Sequence, residues 1–210
     1  LQEKEAVDFI VETLLEEGED SVTMVATGPL TNLGLALMKE PSIAANIHRV
    51  VVMGGASREG GNVTPSAESN IYVDPHAAEI VFGAGRPLVV MGLDVTYQVI
   101  ATPKRIALIR ENGNKTSDLV ANMLELYGGR NVEKFDAIGG PLHDPCTIAY
   151  LIKPELFRAK QVNIEVETES ELTMGETVVD FWRVTNRDRN AKWVYSVDAE
   201  GFFDLLVERL

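Results

Sequence analysis

Cysteine is nearly missing from this chain of 210 residues: Cys146 stands alone, so no disulfide can form within it, and a reducing compartment is the simplest inference. Long apolar runs are missing too, and none approaches the roughly 20 residues that a membrane-spanning helix needs. Basic residues are scarce, 19 Lys and Arg against 32 Asp and Glu, which gives a formal net charge of −13. That balance argues against a nucleic-acid partner and against an anionic membrane surface, because both need a basic face. The glycines form neither a G-x-G-x-x-G fingerprint nor a phosphate-binding P-loop, and there is no G-x-S-x-G nucleophile elbow. No signal peptide is visible, since Leu1-Gln-Glu-Lys-Glu5 is acidic and runs directly into an amphipathic pattern. Repeats, low-complexity tracts and interdomain linkers are lacking, so residues 1–210 read as a single domain.

What is present is a globular composition, 45% apolar. Helix and strand patterns alternate. Ala6, Phe9, Ile10 and Leu14 recur at helical spacing before Gly18. Val22 to Ala26, Arg49 to Met53 and Leu88 to Met91 are short apolar runs of the kind that strands buried on both faces show. Asp74-Pro75 is a helix start, with Asp as the cap and Pro at the first helical position. Further helices are predicted near 32–38, 103–110, 117–127, after Pro145 and after Asp198. Strands are predicted at 161–167 and 177–181, with a weaker one at 192–197. Strands spaced by helices imply an α/β fold, a mostly parallel open sheet with helices on both faces. Ligands in such sheets bind beyond the carboxyl ends of the strands. Three polar segments follow predicted strands: Thr27-Gly28, Gly54 to Asn70, and Asp94.

The segment from Gly60 to Pro75 is a loop by its Gly and Pro content, yet it carries Asn62, Glu68 and Asn70. In an extended segment Glu68 and Asn70, two apart, point to one side. A carboxylate beside amides can bind a polyhydroxylated ligand such as a sugar, although polar loops are also ordinary surface. His143-Asp144-Pro145 offers a second constellation. Asp144 reads either as a ligand for a hard metal or as the cap of the helix begun by Pro145. His143 reads either as a general acid, from its near-neutral ordinary pKa, or as a plain loop histidine. The bend after Ala26 can expose a carbonyl to a cation, or Thr31 or Asn32 can simply cap a helix. Cys146 has no activating base other than His143 and reads as a packed residue. Arg183, Arg187 and Arg189 form an isolated basic cluster near Asn186.

Seven motifs occur in order: Ala26-Thr-Gly-Pro-Leu-Thr-Asn32, Met53-Gly-Gly55, Gly61-Asn-Val-Thr-Pro65, Ala67-Glu68-Ser-Asn70, Val73-Asp-Pro75, Gly92-Leu-Asp-Val-Thr96 and His143-Asp-Pro145. Together they resemble the inosine-uridine preferring nucleoside hydrolases, which are Ca²⁺-dependent N-ribohydrolases. The resemblance runs from about Ser21 to the C-terminus. It implies a Ca²⁺ cofactor with Asp144 as a metal-binding aspartate and Thr27 as the donor of a backbone carbonyl. It implies that Asn62, Glu68 and Asn70 grip the ribose, that Met53 walls the sugar pocket, and that His143 helps protonate the leaving base. A ribonucleoside substrate, a homo-oligomer and cytoplasmic nucleoside salvage are implied as well.

The chain departs from the family at one point. It has no aspartate cluster of the form Asp-x-Asp-x-x-x-Asp-Asp, which in these enzymes supplies most of the Ca²⁺ carboxylates and activates the water. The expectation is therefore the C-terminal two-thirds of a nucleoside hydrolase, with the N-terminal strands of the fold missing. Alone, it should be inactive, a poor Ca²⁺ binder and prone to associate. A non-catalytic nucleoside-binding relative is the alternative. Base preference is not readable, although Ser69 stands where many members carry an aromatic residue.

Overall fold

The computed structural model describes residues 3–135 and 139–210. Backbone packing divides the chain into two compact units, Leu1–Asp94 with Ala159–Tyr195, and Val95–Arg158 with Ser196–Leu210.

The first unit opens with α1 (Ala6–Glu16), β1 (Val22–Ala26) and α2 (Thr31–Lys39). It continues through a 3-10 turn (Pro41–Asn46), β2 (Ile47–Met53), α3 (Ser69–Val73), α4 (Pro75–Phe82) and β3 (Leu88–Met91). Around the junction and through the second unit follow α5 (Leu93–Thr96), β4 (Ile100–Ala101), α6 (Pro103–Arg110), α7 (Lys115–Phe135), β5 (Gly140–Pro141) and α8 (Pro145–Ile152). The chain then forms β6 (Phe157–Val162), β7 (Ile164–Val166), β8 (Thr177–Val179) and β9 (Ala191–Val197), and α9 (Ala199–Arg209) closes it. Among the described residues no helix is long and apolar enough to cross a membrane.

The main sheet runs in the order β1-β2-β3-β9-β6. β1 with β2, β2 with β3 and β3 with β9 are all parallel, the arrangement expected from alternating strands and helices. β2 and β3 are buried from Val50 to Met53 and from Leu88 to Met91, as continuous apolar runs require. β1 departs from that expectation. It is half-buried along its whole length because it stands at the end of the sheet order rather than inside it. β9, the weakest strand by pattern, lies within the sheet, where Trp193 packs at 1% exposure against strands distant in sequence.

One apolar core fills the first unit, joining Leu14, Leu33, Leu37, Val50, Val52, Ile71, Val81, Val90, Ile164 and Trp193. α1 meets this core through Val7, Ile10, Val11 and Leu14, while Phe9 of the sequence-read stripe points to solvent. The strand predicted over 161–167 is broken in two at Asn163, giving β6 and β7. The helix start at Asp74 holds. One carboxylate oxygen accepts from Ala77 N at 3.0 Å and the other from Thr31 Oγ1 at 2.7 Å. Thr31 and Asn32 do not cap α2, since Leu30 holds the cap position and the Thr31 hydroxyl is turned to Asp74.

Candidate functional site

The parallel register sets where the polar segments emerge. Ala26 pairs with Val52, and Met53 with Met91, so Thr27, Gly54 and Gly92 leave neighbouring strands at one edge of the sheet. Gly54 N donates to Met91 O at 3.2 Å and Leu93 N to Gly55 O at 2.9 Å, which ties the second bend to the third. Gly55 sits at φ 82, and a Cβ there would lie 2.8 Å from Thr177 Oγ1. Glycine is thus required twice over, by conformation and by space. Thr177 closes the turn: its hydroxyl accepts from Ala56 N at 2.9 Å and donates to Ala56 O at 2.6 Å.

The segment bearing Asn62, Glu68 and Asn70 is not extended, as the same-side reading of Glu68 and Asn70 assumed. Gly61 lets it fold on itself, since a Cβ there would fall 2.2 Å from Thr64 O and 2.3 Å from Ala67 O. Asn62 N donates to Ala67 O at 3.1 Å, and Asn62 Oδ1 accepts from Ser69 N at 2.9 Å. Glu68 then occupies the cap position of α3 and is 3% exposed. Its carboxylate accepts from Asn70 N at 3.0 Å, Ile71 N at 3.3 Å and, across the turn, Gly55 N at 3.0 Å. An anion at a helix start facing unpaired N–H groups is a favourable placement. Asn70, the second residue of that helix, donates from Nδ2 to Met53 O at 3.1 Å and touches Met53 Sδ at 3.4 Å. Met53, Asn62, Glu68 and Asn70 therefore form one connected group, and Thr27 leaves the strand next to that of Met53.

His143 and Asp144 belong to the second unit. His143 Nδ1 lies 2.7 Å from Oγ1 of the fully buried Thr96, and its ring meets Tyr97 edge-on at 5.6 Å. Burial pushes the imidazole down to about 4, so the near-neutral pKa expected of a general acid is not what this environment gives. Asp144 stands at the cap position of α8 with helical φ −61 and ψ −40, and its side chain makes no capping bond. The capping alternative therefore fails. The carboxyl is held above its ordinary pKa by partial desolvation. Cys146 Sγ donates to Leu142 O at 3.1 Å, and burial raises the thiol to about 12, which fits a packed residue and not a nucleophile.

Three positions received no task from sequence reasoning. Asp94, noted only as polar after a strand, holds the loop after β2 by accepting from Ser57 N and Arg58 N, both at 2.8 Å. Thr96 orients His143, and it lay inside a recognised motif without an assigned task. Thr177 gave no local signal, because its partner is 121 positions away.

Among the described residues no three His, Cys, Asp or Glu side chains gather to hold a metal. Ca²⁺ takes about six to eight oxygens. Thr27 brings one backbone carbonyl in the first unit and Asp144 one carboxylate in the second, each well short of that shell.

The family model described as inosine-uridine preferring nucleoside hydrolase matches residues 1–204. The chain belongs to that family. It is 43% identical over 208 residues to an uncharacterized protein of Schizosaccharomyces pombe, covering 99% of the chain and 67% of that relative. It is 46% identical over 202 residues to a pyrimidine-specific ribonucleoside hydrolase, RihA, of Klebsiella pneumoniae, covering 96% of the chain and 65% of RihA. The solved structure of a plant nucleoside hydrolase, PpNRh1, superposes with a TM-score of 0.90 at 30% identity, over 99% of the chain and 67% of that enzyme. The chain thus spans about two thirds of the length of each of these relatives.

Proposed function

We propose that the protein carrying this chain hydrolyses the N-glycosidic bond of ribonucleosides, and that the chain contributes the ribose-holding part of the site. The observation that carries the reading is the Met53–Asn70–Glu68–Asn62 group at the carboxyl edge of a parallel sheet, in a member of a nucleoside hydrolase family. In this reaction the C1′–N bond breaks with its electron pair going to the base, water adds to C1′, one proton leaves the water and the base gains one. The sugar passes through an oxocarbenium-like state.

The roles follow from what each group has left to offer. Asn70 Oδ1 accepts from a ribose hydroxyl, and Asn62, whose Oδ1 is spent on Ser69 N, donates from Nδ2. Glu68 fixes Asn70 by capping α3 and places a negative charge under the sugar. Met53 supplies an apolar wall that excludes water. A Thr96 hydroxyl donating to Nδ1 leaves the proton of neutral His143 on Nε2, the tautomer able to hydrogen-bond the departing base.

Ca²⁺ dependence belongs to the same proposal, with Asp144 and the Thr27 carbonyl as this chain's ligands. They fill only part of a shell, so no step is derived through the ion. For the chain alone that shortfall supports absent turnover and weak Ca²⁺ binding, and it favours a second reading for the isolated chain, nucleoside binding without hydrolysis. Similarity to a pyrimidine-specific relative makes uridine and cytidine the first substrates to try. The open edge of β1 supports self-association, which sedimentation checks. A cytoplasmic salvage role is part of the proposal.

The test is release of free base by the protein carrying this chain, with Asn70→Ala beside the parent. Losing a hydrogen bond that holds substrate in the transition state should lower kcat/KM by about 10- to 100-fold. Unaltered kcat/KM in a folded variant removes Asn70 from the site. Absence of base release from all ribonucleosides overturns hydrolysis.

A further inference from the structure

The helix that bears Asn70 is too short to hold its own position. α3 has 5 residues, Ser69–Val73, and a helix of that length is stable only through what it packs against. Ile71 ties it to the core at 0% exposure, and Asn70 Nδ2 ties it to Met53 O. It also meets the turn between β7 and β8. Gly175 of that turn, at φ 77, lies so close to α3 that a Cβ on it would fall 2.9 Å from Tyr72 Cα and 3.3 Å from Tyr72 N. Tyr72 N donates to Glu68 O at 2.9 Å, so a shift of Tyr72 is passed to the cap residue. The next residue, Glu176, pairs with Ala67 in an antiparallel bridge, directly beside Glu68 in sequence. Thr177 then holds the bend after β2 through Ala56. Three consecutive residues thus reach both segments that carry the ribose-holding group.

The turn is a closed body in its own right. Glu167 N donates to Glu176 O at 2.9 Å, Gly175 N to Glu167 O at 2.8 Å, Thr173 N to Ser170 O at 3.2 Å and Glu176 N to Thr173 O at 2.9 Å. Glu167 Oε1 accepts from Glu169 N at 2.8 Å and Ser170 N at 3.0 Å. A short helix resting on such a turn takes its position from it. The tolerance is small. Opening the 2.9 Å approach at Gly175 to the 3.4 Å of ordinary contact takes a shift of about 0.5 Å, the precision to which groups that bind a ligand have to be held.

We propose that Gly175, Glu176 and Thr177 are positioning residues of the ribose site. Acting through Tyr72, Ala67 and Ala56, they set where Glu68 and Asn70 stand, and with that how well the site tells one sugar hydroxyl from its absence. The proposal rests on the reading of that group as the ribose grip. Glycine at 175 supplies the close approach, Glu176 supplies main chain, and Thr177 supplies a hydroxyl.

The experiment compares kcat/KM for uridine or inosine, whichever is cleaved, with that for its 2′-, 3′- and 5′-deoxy forms, in the protein carrying this chain and in its Gly175→Ala variant. The added Cβ should lower at least one of the three ribose-to-deoxy ratios by about tenfold, the worth of one hydrogen bond to a bound hydroxyl. Gly85→Ala is the control. Gly85 lies in the same unit with the same left-handed backbone, φ 69, and a Cβ there would meet nothing within 4 Å. It brings the same backbone strain and should leave all three ratios unaltered, so lost stability alone does not produce the effect. Where Gly175→Ala does not fold, Thr177→Val takes its place, with Thr177→Ser expected to keep the parent's ratios. Unaltered ratios in the folded variant, or an equal fall in Gly85→Ala, overturn the proposal. Where the parent releases no base, the hydrolysis reading fails and amide exchange decides this one. Gly55 N–H and Asn70 N–H should then exchange faster in Gly175→Ala than in Gly85→Ala, and equal rates overturn it.

Discussion

Thr177→Val should destabilise the first unit out of proportion to its size. The side chains are nearly isosteric, so packing changes little, yet the hydroxyl at 2.9 Å from Ala56 N and 2.6 Å from Ala56 O disappears. Thr177 and Ala56 are 3% and 2% exposed, so water cannot replace the lost partner without rearrangement. A buried N–H and a buried C=O are then left unpaired, each costing about 1–3 kcal/mol. Allowing for partial relaxation, the net loss should be about 2–4 kcal/mol. In a chain of this size that corresponds to a fall in Tm of roughly 5–15 °C. Urea unfolding followed by circular dichroism measures it, with Thr177→Ser as control. Serine keeps the hydroxyl and gives up one methyl, a loss of about 1 kcal/mol. If valine costs no more than serine, the hydroxyl does not hold the Gly55–Ala56 turn and the reasoning is refuted. The turn matters for function because Gly55 N is one of the donors that seat Glu68.

Three further outcomes can be checked. Cys146 should resist thiol reagents at pH 8 in the native state and react once unfolded, since burial holds the thiol near 12; rapid native labelling would contradict its packed position. Asp180 is held down to about 2 by Thr185 and the Val184 and Thr185 amides, so its folded-state value lies below the unfolded one. Its contribution is complete above the unfolded pKa near 4 and fades as pH falls through 2; amide chemical shifts of Val184 and Thr185 should follow that window, and movement centred at pH 4 would refute it. Asp74→Ala removes the cap of α4 and the Thr31 contact together, and should cost about 1–2 kcal/mol in urea unfolding.

Local chemistry was legible where it is local. The valines of β2 and β3 and the Asp74-Pro75 start announce themselves through neighbouring residues, and the structure keeps them. The parallel sheet followed from the alternation of elements. What escaped is what depends on distant chain. β9 looked weak by pattern because the partners that bury Trp193 lie far away in sequence. β1 looked like an inner strand because composition cannot say where a sheet ends. Asn62, Glu68 and Asn70 were legible as polar groups on a strand-end loop, but their geometry was not. Glu68 and Asn70 were read as neighbours on an extended segment, whereas Gly61 folds the loop and makes Glu68 a helix cap. Asp144 was ambiguous in sequence because Asp-Pro starts look alike whether or not the carboxylate caps; only the backbone angles separate the two.

The seat of Glu68 also limits what can be learned by altering it. One carboxylate takes N–H groups from Gly55, Asn70 and Ile71, joining the bend after β2 to the first turn of α3. In Glu68→Gln one oxygen becomes an NH₂ that faces backbone donors, so the loop would shift even if no sugar were ever bound. A dead Gln variant would therefore report a displaced Asn70 as readily as a lost charge. Anyone dissecting this pocket by substitution has to begin at its outer amides, because its central acid is also its hinge pin.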